Sequence, residues 1–266
     1  MATLALVSGC GFSVGEGGVT IDAARGSDAP VPEDGPSSID GPVTPTDGPI
    51  NPVTPRIVAN VVGSMSATSQ LVLSLTVPTD ARRVLIVAVQ IGSNCPADVA
   101  PTVATVSLDN TPLARLASVV GTPCGAQSTR SEQWLLVAPA SGAHTVRIVL
   151  GAQAKSIHAG AMVAADISQA SPVRDHVTAS GTGKTGSVQV ASAPSDLVIS
   201  TVGQGRQIVM PGAGTMLYLH NNSTSNTLDN SAASAVVATS AATTIGWTFV
   251  QDVADEWQVI ATSLAP

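Results

Sequence analysis

From Arg56 onward the chain alternates apolar and polar residues with a period of two, and this alternation restricts the fold more than any other feature. Leu71, Leu73, Leu75 and Val77 alternate with Val72, Ser74 and Thr76, while Val146, Ile148 and Leu150 alternate with Thr145, Arg147 and Val149. Successive side chains of a strand point to opposite faces, so each segment has one face to bury. Further segments rich in Val, Ile and Thr lie at 82–91, 103–108, 113–120, 130–138, 156–166, 173–179, 186–191, 196–202, 215–220, 243–250 and 256–263. Turn residues such as Asp109-Asn110-Thr111-Pro112 and Pro139-Ala140-Ser141-Gly142 separate them, and no amphipathic helix of three turns is evident. The expected fold is therefore all-β. It is a two-sheet antiparallel sandwich of jelly-roll type over 56–266, or two smaller sandwiches dividing near 180–195.

Residues 10–55 read differently. The stretch from Gly11 to Pro55 holds 8 of the 18 Pro and 8 of the 24 Gly, seven acids and a single base, Arg25. It carries −6 of the net −7, which leaves the remainder nearly neutral. Such a stretch buries too little apolar surface to offset its chain entropy, so a disordered, solvated tether is expected. The triplet Asp-Gly-Pro recurs at 34–36, 40–42 and 47–49, but Asp alternating with Pro in an open chain does not converge six oxygens on calcium. The acidic balance and the lack of any basic run argue against nucleic acid as a partner. The longest apolar stretch, Val84 to Val89, falls far short of the ~20 residues of a spanning helix.

Ahead of this tether, Leu6-Val7-Ser8-Gly9-Cys10 ends a short apolar run in small residues directly before a cysteine, and it resembles the lipobox of bacterial lipoproteins. The resemblance implies that residues 1–9 are a signal remnant and that Cys10 carries a covalent lipid, the only attached group expected. The membrane is then a partner through that anchor. Acyl chains contribute about 0.8 kcal/mol per buried methylene. Gly11 rather than Asp after the lipid site points, by family analogy, to the outer membrane or cell surface. With Cys10 assigned to lipid, Cys95 and Cys124 remain, in the loop-like contexts Ser-Asn-Cys-Pro and Thr-Pro-Cys-Gly. An even remainder suggests one disulfide, of the kind that persists outside the reducing cytosol; two separate thiols are the alternative. The run from Glu132 to Val146, and that from Ala159 to Val173, resemble segments of exported bacterial β-sandwich modules with a jelly-roll or lectin-like fold. That resemblance brings no catalytic residue.

Strings that imitate chemistry lack the context they need. Gly11-Phe12-Ser13-Val14-Gly15 matches a nucleophile elbow, but no strand precedes it and no helix follows. Gly181-Thr182-Gly183-Lys184-Thr185 imitates the end of a phosphate loop, and a β-hairpin turn is the expectation there. His144, His158, His176 and His220 show no metal-ligand spacing, and adjacent Asp175 and His176 would point to opposite faces. Asp252, Asp255 and Glu256 read as a solvated loop before the last strand rather than half of a carboxylate pair. No catalytic or metal site is expected, and the chain reads as a non-enzymatic envelope lipoprotein that displays a binding or structural module; a carbohydrate-binding surface protein is the alternative, and a hydrolase with a site assembled through space the second alternative.

Aromatic side chains are scarce, so the few present are informative. Trp134 and Trp247 are expected in the core, while Trp257 and Tyr218 are the candidate ligand-stacking residues for a glycan, the second class of partner beside another envelope protein. The polar run Asn221-Asn222-Ser223-Thr224-Ser225-Asn226 reads as a loop at a sandwich end, where binding sites often reside.

Overall fold

A computed structural model describes residues 54–92, 100–121, 129–204, 208–220, 230–249 and 255–266. Every regular element among them is a strand, and all pairings are antiparallel. In chain order these are β1 (Arg56–Val77), β2 (Val84–Gly92), β3 (Val103–Leu108), β4 (Thr111–Pro112), β5 (Ala114–Val120), β6 (Thr129–Val137), β7 (Gly142–Ala165) and β8 (Val173–Gly183). They continue with β9 (Thr185–Ala191), β10 (Leu197–Gln204), β11 (Ile208–Pro211), β12 (Thr215–His220), β13 (Asn230–Val237), β14 (Ala242–Phe249) and β15 (Asp255–Leu264).

The fold is the antiparallel sandwich that the alternation predicts, built twice. In the first half, β1 and β7 pair along their whole lengths as one ribbon, with a register shift between Thr68 and Gln70. The late part of β1 and the early part of β7 join β3 and β4, while the early part of β1 and the late part of β7 join β2, β6 and β5. Leu71, Leu73 and Leu75 share a core with Leu85, Val87 and Val89, so the ribbon folds back and covers its own sheet. The inner sheet then runs β1-β7-β2-β6-β5. In the second half the inner sheet runs β8-β15-β10-β13-β12 and the outer one β11-β14-β9, the same order strand for strand.

The register irregularities repeat too. The shift between Arg115 and Ala117 on β5 matches that between Met216 and Tyr218 on β12, and the shift between Val103 and Thr105 on β3 matches that between Ile208 and Met210 on β11. Arg82 before β2 and Ser195 before β10 both adopt positive φ, at 49° and 76°. Bulges bend a strand at a chosen point, and their recurrence at equivalent positions marks an internal duplication. The halves divide at 166–172, earlier than the 180–195 expected. The hairpin expected at Gly181–Thr185 is corrected: β8 and β9 lie in different sheets, and Gly183, at φ 124°, turns the chain from one to the other.

The two inner sheets pack face to face, which makes four layers and three apolar cores. Each half has its own, one around Leu85, Val146 and Ile148 and the other around Val198, Ile245 and Trp247. A third lies in the seam between the halves, where Val84, Ile86, Met162 and Ala164 meet Leu197, Ile199, Tyr218 and Leu264. Both β2 and β10 are consequently buried on both faces, which is why each reads as a nearly unbroken apolar run.

Candidate functional site

The strands of both halves point the same way along the seam, and this gives the molecule two unlike poles. At one pole lie Val84, Val137 and Ala164, with Leu197, Val237 and Leu264 across from them. Chain entry at Arg56 is at this pole, where Arg56 pairs with Ala165. At the other pole end Gly92 and Gln204, beside Thr129 and Asn230. Strand alternation carries Gln90, Thr129, Ser131, His158, Ser231, Gln258 and Glu256 into the seam there, all buried.

Gln133 marks the boundary between the apolar and polar ends. Its amide donates to Thr201 Oγ1 at 2.9 Å, and its carbonyl accepts from Thr262 Oγ1 at 2.6 Å, so it ties one inner sheet to the other. Further along, the Glu256 carboxylate accepts from Gln258 Nε2 at 2.7 Å and from Thr129 Oγ1 at 3.2 Å, while the Thr129 hydroxyl also meets Gln258 Oε1. The His158 and His220 rings make an edge contact at 4.2 Å between centroids. A cavity of about 10 Å³ lies against Gln90, Thr129, His158, Gly203, Gln204 and Asn230.

Several buried atoms in this seam have no hydrogen-bond partner among the described residues: both amide atoms of Gln90 and the hydroxyls of Ser131, Ser231 and Tyr218. Tyr218 reaches towards Gln90 without completing a bond; burial pushes its phenol up, and the Gln90 amide opposes this.

A second buried carboxylate, Glu132, faces the first half's own core. It accepts from Trp134 Nε1 at 3.2 Å and lies 3.5 Å from Arg130. Burial pushes its carboxyl up, opposed chiefly by the Val103 N–H and the Arg130 charge. A larger groove of about 560 Å³ runs between the early part of β1 and β12, lined by aliphatic residues such as Ile57, Leu197, Leu217 and Val237.

The residues singled out by sequence fall as follows. Trp134 and Trp247 are core residues; Trp247 is 1% exposed and donates to Ser200 Oγ at 3.0 Å. The stacking role expected of Tyr218 is corrected, because its ring is buried in the seam against Gly160 and shows no face to solvent. Trp257 is half-buried, its indole laid over Gly181 and Gly186, where an added Cβ would stand 2.7 and 2.8 Å from the ring. Glu256, expected in a solvated loop, is buried in the seam on β15. His144 pairs with Asp109 at 2.8 Å on the surface, away from the seam. Asp175, far from forming a dyad with His176, accepts from the Ala191 N–H at 2.9 Å. Cys10, Cys95, Cys124, Asp252 and the 221–226 run lie outside the described residues, as do the signal remnant and the tether up to Val53.

What sequence reading missed is Gln90, Ser131 and Ser231, which carry no motif. Their signal was weak but present: a polar residue follows a run of six apolar ones at Gln90, on a strand that has no solvent face. Among the described residues no three His, Cys, Asp or Glu side chains gather as a metal set. No protein-family model, curated protein or solved structure matches this chain.

Proposed function

We propose that this chain is a lipid-anchored protein of the bacterial envelope, held at the outer membrane or cell surface, that displays its duplicated sandwich as a non-catalytic binding module. Leu6 to Cys10 supply the anchor signal and Gly11 to Pro55 the spacer. The observation that carries the reading is the order of segments along the chain: a lipobox-like run ending at Cys10, an acidic Pro- and Gly-rich stretch to Pro55, and from Arg56 an all-β unit. The Cys95–Cys124 disulfide belongs to the same proposal. In sequence Cys95 comes three residues after Gly92, the end of β2, and Cys124 four residues after Val120, the end of β5; β2 and β5 flank β6, so Gly92 and Val120 lie about 10 Å apart at ordinary interstrand spacing.

Membrane fractionation of the Cys10→Ser variant tests the anchor. The protein should move from the membrane pellet to the soluble fraction, and an unchanged pellet would rule the proposal out. Non-reducing mass spectrometry should show Cys95 and Cys124 in one linked peptide pair.

A further inference from the structure

We infer that the free edge of β1 between Leu71 and Val77 is a pairing surface for a second copy of this chain, whose own Leu71–Val77 lies antiparallel against it and joins the two outer sheets into one. The inference does not depend on the anchor reading above, since it needs only the sandwich.

An edge strand presents a row of N–H and C=O groups that a further strand can take up, and proteins ordinarily obstruct such rows with charges, prolines or a covering group. The other edges of this molecule are obstructed. Strands β4 and β11 carry Pro112 and Pro211, β5 carries Arg115 and β8 carries Arg174. The Asp175 carboxylate accepts from the Ala191 N–H of β9. Asn60, on the early part of β1, donates to the Leu217 carbonyl of β12 at 2.6 Å and so ties those two edges to each other.

The late part of β1 has no such guard. It pairs with β7 on one side, and among the described residues no strand pairs with it on the other. Between Arg56 and Asp80 the sequence holds no charged residue, and Val72 is 47% exposed. The duplication sharpens the contrast. By register Ala59 corresponds to Asp175 and Thr76 to Ala191, so the first half has a methyl group where the second has its capping carboxylate.

The backbone of this edge is turned outward at the positions that matter. Thr145, the partner of Ser74 on β7, gives its N–H and carbonyl to Asp109 on its other side, at 2.8 and 2.7 Å. Ser74 therefore points its own N–H and carbonyl away from β7, and Val72 and Thr76, two residues to either side, do the same.

Charge and symmetry select the occupant. A second copy brings the same uncharged edge, so pairing about a two-fold sets no charge against its like. With the axis normal to the sheet at Ser74, that residue faces its own copy and Val72 faces Thr76, which joins outward N–H and C=O groups in both directions. The same register keeps Leu71, Leu73 and Leu75 on the core side in both copies. Ser74 and Thr76 are small and exposed, so the outer face leaves the approach open. The register shift between Thr68 and Gln70 at one end and Pro78 at the other confine the pairing to this segment.

The test is sedimentation equilibrium of the full chain carrying Cys10→Ser, so that no acyl group or thiol at that position holds copies together. So short an edge makes an interface at the low end of specific ones, and the mass should rise from one chain to two with a midpoint at about 10–100 µM. Adding Ser74→Lys sets two ammonium groups against each other at the axis and should raise that midpoint at least about tenfold with melting unchanged. Ser74→Asp should do the same, while an equimolar mixture of the two should associate as the parent does, because Lys then faces Asp. Thr105→Lys, at an exposed position on β3, should leave the association as it was. A single-chain mass throughout, masses beyond two chains, or equal association of Ser74→Lys and the parent would overturn the inference. So would a mixture no better than either variant alone, or a Thr105→Lys protein as dissociated as Ser74→Lys.

Discussion

The ring of Tyr218 on β12 fills the space that a side chain would need at Gly160 on β7. A methyl added to Gly160 would stand 2.6 Å from Tyr218 Cζ and 2.8 Å from Cδ1, contacts that real Cβ atoms do not make. Both residues are buried in the seam, so neither can yield without moving a sheet. Gly160→Ala should therefore destabilise the protein by about 1–3 kcal/mol, the usual cost of overpacking. Tyr218→Phe should be close to neutral, since the hydroxyl it removes is buried without a partner among the described residues. Urea unfolding of the two variants checks this; equal midpoints for Gly160→Ala and the parent would show that the halves are not in contact there.

Two buried carboxylates should shape the pH dependence of stability with opposite signs. Burial alone would raise Asp196, but the Arg174 guanidinium, the Ala193 N–H and the Ser263 hydroxyl outweigh it and hold the carboxyl below its ordinary 3.8. The unfolded state then binds the proton more readily, so the stabilisation from Asp196 is present above about pH 4 and is lost as pH falls through the depressed value. Glu132 is raised above its ordinary 4.5 by burial. The folded state holds its proton longer, so stability should decline as pH rises from about 4.5 to the raised value and then level off. Thermal melts from pH 3 to 8 should show both limbs. Asp196→Asn should cost about 1–3 kcal/mol at pH 7 and flatten the acid limb, while Glu132→Gln should flatten the other. Retention of either limb in its own variant would assign it to another group.

Much of this architecture is written in the alternation of residues, and what is not has physical causes. The segment 103–108 is β3, and 215–220 is β12, each to the residue. By contrast β13 (Asn230–Val237) has no counterpart among the expected strands, because Asn-Ser-Ala-Ala-Ser-Ala lacks the branched side chains that mark a strand. Ala232 and Ala233 are small because each side of β13 faces another packed sheet. The duplication is hidden for a related reason: Gln90 with Gly203, Glu132 with Ala232 and Arg147 with Gly246 share backbone roles and no chemistry. Strand order and bulges persist where side chains have diverged. The polar end of the seam was least legible of all, since Gln90, Ser131, Gly203 and Gln258 meet only when two sheets distant in sequence are stacked.

Trp257 should behave as a packing residue. Gly181 and Gly186 leave the room its indole occupies, and a Cβ on either would press within 2.8 Å of the ring. Trp257→Ala should lower stability by about 2–4 kcal/mol through the cavity it opens, short of the full cost for an aromatic because the residue is half-buried. Gly181→Ala and Gly186→Ala should each destabilise by about 1–3 kcal/mol. Iodide quenching of tryptophan emission should be weak in the parent. Strong quenching that disappears in Trp257→Phe would instead place the indole in solvent and restore it as a stacking residue.

The seam makes a stronger demand, that neither half is a complete folding unit. Between the halves the chain runs through Ser168 to Pro172, tied at each end by Ser168 N–H to the Ala265 carbonyl at 2.9 Å and Ala265 N–H to the Pro172 carbonyl at 3.0 Å. Alone, the first half would expose Val84, Ile86, Met162 and Ala164, and the second Leu197, Ile199, Tyr218 and Leu264, a contiguous apolar face of the kind that drives association. Each also has its own core between an inner and an outer sheet, so a fragment retains something to fold around. Fragments 54–169 and 170–266 expressed separately should aggregate or self-associate, because the duplicated inner sheets offer each half a mate resembling its natural one. Expressed together they should co-elute at the size of the intact unit. Two separately soluble monomers, each with a sharp melting transition, would show that the four layers are two independent sandwiches.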